Sequence, residues 1–244
     1  DRYISQAVTF LLRHQHLSKH PLDDEISERA FDSFLKSIDP LKSYLLQSDI
    51  DSFAAQRKEI DDATRKGDIS FAYTVFKRFL QRVDERVQMV NELLKNDPDF
   101  TVDEEFITAR ENRSYPKDNA EARDLWRKRV KYDLLNQLAE EKPLKDAKET
   151  VARRYESFSR RMHQTDSDEL LEMYLTALTT AFDPHTTYMS PTTLENFDIQ
   201  MRLELDGIGA ALQSMDGQTT ITKSIPGGAA DKHGKLKPED RIVS

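Results

Sequence analysis

Glycine placement divides this chain before any other pattern is read. Of seven glycines, Gly207, Gly209, Gly217, Gly227, Gly228 and Gly234 lie in the last 38 residues, and only Gly67 interrupts what precedes them. Glycine is used where backbone turns tightly or comes close to a ligand, and it weakens helix interiors. A long glycine-poor body followed by a short glycine-rich module is therefore expected. The module opens with Leu205-Asp206-Gly207-Ile208-Gly209-Ala210, a loop built to hold something, and the sequence stops at Asp240-Arg241-Ile242-Val243-Ser244, which reads as the middle of a strand.

Up to about residue 203 the apolar period is helical. Ile4, Val8, Leu11 and Leu12 mark a first helix, and Ile26, Ala30, Phe31, Phe34, Leu35 and Ile38 a second. Ser48 with Asp51 predicts the cap of a third, carrying Ile50, Phe53, Arg57 and Ile60 and ending at Gly67. Phe76 to Leu94 form a long fourth, and Asp97-Pro98-Asp99 stops it before a loop of some twenty residues. Asp118 with Glu121 resembles a capping box ahead of Leu125, Trp126, Val130, Leu134 and Leu138. Further helices follow around Val151 to Met162 and Leu170 to Phe182, and Ser190-Pro191 caps a short last one. From Arg202 the period changes. Gly209 to Met215, Thr219 to Ile225 and Arg241 onward read as strands, with Asp216-Gly217 as a hairpin turn and Pro226 to Asp231 as a loop entering a single helical turn. The fold class is mainly α: a multi-helix N-terminal domain over residues 1–203, then a partial, mostly β module over 204–244.

Composition narrows the function. The charged fraction is 33%, against roughly 25% in typical globular chains, which fits solvated helices around a modest core. A net charge of -8 argues against nucleic acid as a general partner, since that binding is driven by basic surfaces. With no cysteine there is neither a disulfide framework nor a thiolate metal site, and neither a metal nor a cofactor is expected. No run approaches the roughly 20 apolar residues of a membrane span. The chain opens at Asp1 without an initiator Met, which reads as a fragment with room for a removed targeting segment ahead of it.

Several clusters invite chemistry that their setting argues against. Ser33-Phe34-Leu35-Lys36 has the spacing of some acyl enzymes, but Phe34 and Leu35 point it inward and leave both polar groups to water. His14, His16 and His20 suggest a metal, yet only His16 and His20 share a helical face, so a solvated helix end is expected. Arg153/Arg154 and Arg160/Arg161 repeat after seven residues on one helix face, open to an acidic partner or to local pairing. Trp126 among Arg123, Arg127, Lys128, Arg129 and Lys131 mimics a nucleic-acid patch but sits at core spacing. One internal echo stands apart. Ile38-Asp39-Pro40 and Phe182-Asp183-Pro184 both end helices, each with a Tyr five residues after the Asp (Tyr44, Tyr188) and a Phe fourteen after it (Phe53, Phe197). Convergent turn chemistry and structural duplication both account for it.

The Gly-Ile-Gly-Ala loop, the strand and hairpin after it, Ser224-Ile225-Pro226-Gly227-Gly228-Ala229-Ala230 and Lys235 to Val243 together resemble a PDZ domain. The resemblance implies that the N–H groups of Ile208, Gly209 and Ala210, on a turn made by Gly207, receive a peptide's terminal carboxylate. The peptide then adds as a strand beyond Ala210, with Ile208 and Leu212 lining the pocket for its last side chain. Ala210 departs from the bulky aromatic common in such loops, and Glu239 stands where a glycine is usual. Upstream, Asp183-Pro184-His185-Thr186-Thr187-Tyr188-Met189-Ser190-Pro191 looks like the bacterial C-terminal processing peptidases, and the helical region with Arg153-Arg154-Tyr155 and Arg160-Arg161-Met162 narrows this to the tail-specific branch. In that motif His185 is expected to hydrogen-bond the turn. The resemblance implies a periplasmic serine endopeptidase that selects protein substrates by apolar C-termini. It implies a Ser–Lys dyad in a domain beyond Ser244, so that no catalytic residue lies in this chain, and it points to a lipoprotein adaptor on the helical domain. A non-enzymatic helical adaptor carrying a PDZ module, and a PDZ protease of different architecture, are the rival readings. A PDZ groove also needs a helix that would follow Ser244, so the open edge at Ala210 to Met215 is expected to be covered by the helical domain or a neighbouring chain.

Overall fold

A computed structural model describes residues 1–110, 113–202, 207–215 and 218–242, with backbone alone at Ser214, Met215 and Gln218. The chain divides into two compact units, Asp1–Ser190 and Pro191–Ser244. The expected boundary at 203/204 lies outside the described residues, and the helix Pro191–Arg202 is grouped with the second unit.

The first unit is helical: α1 (Arg2–Gln15), α2 (Asp24–Ile38), α3 (Gln47–Phe53), α4 (Ile60–Arg65), α5 (Ser70–Leu93), α6 (Asn119–Ala139), α7 (Leu144–His163) and α8 (Ser167–Phe182). Their starts follow from side-chain chemistry. The Asp23, Asp118 and Asp166 carboxylates each accept two N–H groups of the first turn that the helix leaves unpaired. Glu121 reaches back to the N–H of Lys117, one residue beyond the capping box the sequence suggests. The third helix departs from expectation. The Asp49 carboxylate, not Ser48, caps α3 by accepting Leu46 N–H at 2.9 Å. The apolar series to Ile60 is split by a tight 3₁₀ turn at Ala54–Gln56, so one expected helix is two. Gly67 does end α4. It takes a left-handed φ of 77°, and a Cβ there would lie 2.8 Å from the Arg2 carbonyl oxygen.

Helix α2 packs most extensively on α8, and α5 lies against α6 and α7. Their shared core holds Ile26, Phe34, Val75, Phe79, Val83, Leu134, Leu171 and Leu175, all essentially sealed from water. Trp126 is fully buried, and its indole N–H donates to the Ser43 carbonyl at 2.8 Å, which pairs the one polar atom that burial would strand. One buried charge pair is well built. Asp49 accepts two bonds from Arg82 (2.8 and 3.1 Å) and one from Arg78 (2.7 Å). Burial alone would push the Asp49 carboxyl up. Arg82, the Leu46 N–H and Arg78 outweigh it and hold the group below the ordinary carboxylate range.

The second unit carries α9 (Pro191–Arg202), β1 (Ala210–Met215), β2 (Gln218–Ser224), α10 (Ala229–His233) and β3 (Arg241–Ile242). The strands make an antiparallel sheet in the order β1-β2-β3, in which Leu212 faces Ile221 and Thr220 faces Arg241. A bulge between Ala211 and Leu212 breaks the β1–β2 register near its start. The Asp216-Gly217 hairpin turn lies outside the described residues, as do Leu205 and Asp206 of the loop and Val243 and Ser244 at the end.

Candidate functional site

The loop that enters β1 is pinned by backbone. Gly209 has φ of 73°, and a Cβ on it would sit 2.8 Å from the Ala229 nitrogen and 3.0 Å from Gly228 Cα. Only a residue without a side chain allows this approach, which runs between the two glycine-rich stretches. Two bonds fix it: Ile225 N–H donates to the Gly209 carbonyl and Ala230 N–H to the Ile208 carbonyl, both at 2.8 Å. Gly227 N–H in turn donates to the Asp231 carboxylate at 2.8 Å. Around Gly207 the space is open, with nothing within 4 Å of where a Cβ would be.

With the Ile208 and Gly209 carbonyls spent on this anchor, their side-chain and N–H faces look elsewhere. Among the described residues, no backbone acceptor is found for the N–H of Ile208 or Gly209. Ile208 and Leu212 are 51% and 46% exposed. Among the described residues, strand β1 has a neighbour on one side only, and Ala211, Leu212 and Gln213 are exposed. On the opposite side of the sheet's chemistry, Ile221 is buried, its N–H donates to the Asp240 carbonyl and its carbonyl accepts from Glu239. Glu239 is held at φ of 75°, so the residue that replaces the usual glycine adopts the glycine conformation.

The Asp-Pro motif in the helical unit forms a closed turn. Asp183, extended at φ -160° as a residue before proline should be, accepts the His185 N–H at 2.7 Å and the Thr186 hydroxyl at 2.8 Å. His16 Nε2 lies 2.9 Å from both the Asp183 carboxylate and the Thr186 hydroxyl. These bonds, led by the His185 N–H, hold the Asp183 carboxyl below its ordinary range. The histidine that ties the turn by its ring is thus His16, largely buried, whereas His185 contributes its backbone and leaves its ring exposed. One expectation changes with this: His16 is not on a solvated helix end. His185 hydrogen-bonds the turn through its backbone N–H. Pro184 is exposed. Tyr188 joins a different neighbour: its carbonyl accepts the Thr176 hydroxyl of α8 at 3.0 Å.

The other Asp-Pro corner is buried. Both Asp39 oxygens are occupied, by the N–H groups of Ser43 (3.0 Å), Tyr44 (2.9 Å) and Leu45 (3.0 Å). Burial pushes this carboxyl up, against the pull of those donors and of Arg110. The remaining polar clusters resolve locally: Arg154 meets Asp133, Arg160 meets Ser157, and His14 stacks on Phe10.

The helical region matches the family model described as the tail specific protease N-terminal domain over residues 8–192. The chain belongs to the tail-specific protease family. It is 34% identical over 240 residues to a tail-specific protease of Haemophilus influenzae, a match covering 98% of this chain and 34% of that protein. It is also 33% identical over 81 residues to the carboxy-terminal processing protease CtpA of Bacillus subtilis, covering 33% of this chain and 17% of that protein. The chain thus spans about a third of the Haemophilus tail-specific protease. Among the described residues, no helix is long and apolar enough to cross a membrane.

Proposed function

We propose that this chain is the scaffold and part of the C-terminus-reading site of a serine endopeptidase that processes proteins from apolar C-termini. One observation carries the reading: among the described residues, an edge strand with a single neighbour runs out of a glycine loop whose carbonyls are anchored and whose N–H groups have no backbone acceptor. A peptide's terminal carboxylate would take the N–H groups of Ile208, Gly209 and Ala210, with Gly207 leaving the approach clear. Its backbone would extend β1 as a further strand, and Ile208 and Leu212 would hold its last side chain. The small Ala210 leaves that pocket wide. Hydrolysis itself would fall to a Ser nucleophile with Lys as general base, neither of them in this chain. The periplasm, and a lipoprotein adaptor on the helical unit, belong to the same reading. The protease names of the relatives weigh against a non-enzymatic adaptor.

The test uses the intact protein. A loosely folded substrate ending in Leu-Ala-Ala should be cleaved faster than the same substrate with a C-terminal amide or a final Asp. Equal rates for all three would contradict C-terminus reading.

A further inference from the structure

The helical unit contains a cavity of about 490 Å³ that the reading above leaves unused. That volume is in the ~300–1,000 Å³ range of sites that enclose small ligands or a few residues of a peptide. Its floor is apolar: Ile38, Phe76 and Phe79 are buried, and Phe158, Met162 and Met173 complete it. The Asp39-Pro40 corner closes one side, and three guanidiniums, of Arg129 on α6 and of Arg154 and Arg161 on α7, line another.

The charge in this cavity is not balanced. Arg129 is fixed in place by a bond to the Ser43 hydroxyl at 3.0 Å. Its guanidinium lies 4.8 Å from the Trp126 ring, 5.5 Å from that of Tyr155 and 6.0 Å from that of Tyr44. These contacts orient the cation without neutralising it. Arg161 sits 5.7 Å over Phe158. Among the described residues, neither forms a salt bridge, although the Asp133 carboxylate that pairs with Arg154 also attracts Arg129. Arg154 pairs with Asp133 at 3.4 Å, and that carboxylate is already shared with the Tyr155 hydroxyl at 2.5 Å. The one carboxylate lining the cavity, Asp39, has both oxygens engaged by three N–H groups. An apolar floor beneath surplus guanidinium charge is complementary to a ligand that ends in a carboxylate next to an apolar group, and Arg is the side chain suited to carboxylate geometry.

We infer that this cavity is a second site for a peptide C-terminus, taking the terminal carboxylate on Arg129 and Arg161 and the last apolar side chain against Phe79, Phe158 and Met162. The choice of a peptide rests on the proposed function, in which protein C-termini are the working ligand. The site would hold a substrate tail on the helical unit.

Photo-crosslinking with the intact protein tests it. The probe is a ten-residue peptide with a free carboxylate and a diazirine leucine at its last position, mapped by mass spectrometry. Label is expected on Phe158, Met162 or Met173 as well as near β1. The double variant Arg154→Gln/Arg161→Gln should reduce the cavity label about tenfold and leave the β1 label unchanged, whereas the amidated peptide should lower the label at both sites. Melting of the double variant, with both altered residues on the surface of α7, checks that the fold is kept. Label near β1 only would overturn the cavity site and leave the proposed function standing. Label in the cavity only would support this site and count against the β1 reading, and label in neither would sink both. A diazirine fatty acid that labels the cavity and is not displaced by excess peptide would overturn the peptide as its occupant.

Discussion

The helical unit seals Ile26, Phe34, Val75, Trp126, Leu134 and Leu175 completely from water, whereas the second unit, among its described residues, buries only Ile221 and Ala230. That second unit leaves Leu194, Phe197, Ile208, Leu212, Ile225, Leu236 and Ile242 substantially exposed. The helical unit exposes apolar side chains too, Phe10 and Leu17 among them, but it also has a sealed core, which the described residues of the second unit barely form. The same contrast is written in the two Asp-Pro corners. The first is wrapped so that its Asp feeds three buried N–H groups and its Tyr44 stacks on Phe158 and meets Trp126 edge-on. The second keeps its Asp near the surface, and its matching Phe197 is exposed. The same Asp-Pro pair, with a Tyr at the same spacing, therefore serves as core in one place and as a surface tie in the other. The difference comes from what packs above it.

The contrast breaks first at Asp39. Asp39→Ala should strand three buried N–H groups and cost about 3–5 kcal/mol, read as a shift in urea unfolding of the helices. A loss below about 1 kcal/mol would mean that the buried corner does not hold the body together. Next comes Asp49, whose replacement leaves the buried Arg82 with Glu85 as its remaining carboxylate. Asp49→Asn should cost about 2–3 kcal/mol at neutral pH. Because the folded Asp49 carboxyl lies below its ordinary value of 3.8, its contribution is fully present above that value. It is lost as pH falls through the folded pKa. Urea midpoints of the two proteins should therefore converge below pH 3.8, and a gap that persists into strong acid would contradict the ion-pair origin.

The second unit should respond without disturbing the first. Gly209→Ala forces a side chain into a left-handed conformation and against the Ala229 nitrogen, at a cost of about 1–2 kcal/mol in that unit, while far-UV melting of the helices stays unchanged. Loss of the helical transition would show that the contrast between the units is false. The smallest effect expected is a gain. Glu239→Gly relieves the left-handed backbone of Glu239 in the sheet's closing turn and should protect Ile221 N–H from hydrogen exchange by about 0.5–1 kcal/mol. Unchanged exchange would remove strain as the meaning of that departure.

How much of this was legible depended on the range of the interaction. Helix faces with a regular period and a local cap, such as Asp118 before α6 or Asp166 before α8, could be read because cap and face are neighbours in sequence. The glycine loop and the strands after it could be read for the same reason. The break at Ala54–Gln56 could not, since no Gly or Pro marks it and the apolar spacing runs through to Ile60. Nor could His16, whose partner Thr186 is 170 residues away. The cavity was partly visible: the seven-residue repeat of arginines places Arg154 and Arg161 on one face, but Arg129 joins them only because α6 packs beside α7.

The account stands most directly on the open edge of β1. Fluorescence anisotropy of a labelled peptide ending in Leu-Ala-Ala, titrated with the intact protein, measures it. Leu212→Glu and Ile208→Asp should each weaken capture about tenfold, or about 1.4 kcal/mol, with helical melting unaltered. Affinity equal to that of the unmodified protein for both variants would contradict the claim that this loop and strand read the C-terminus.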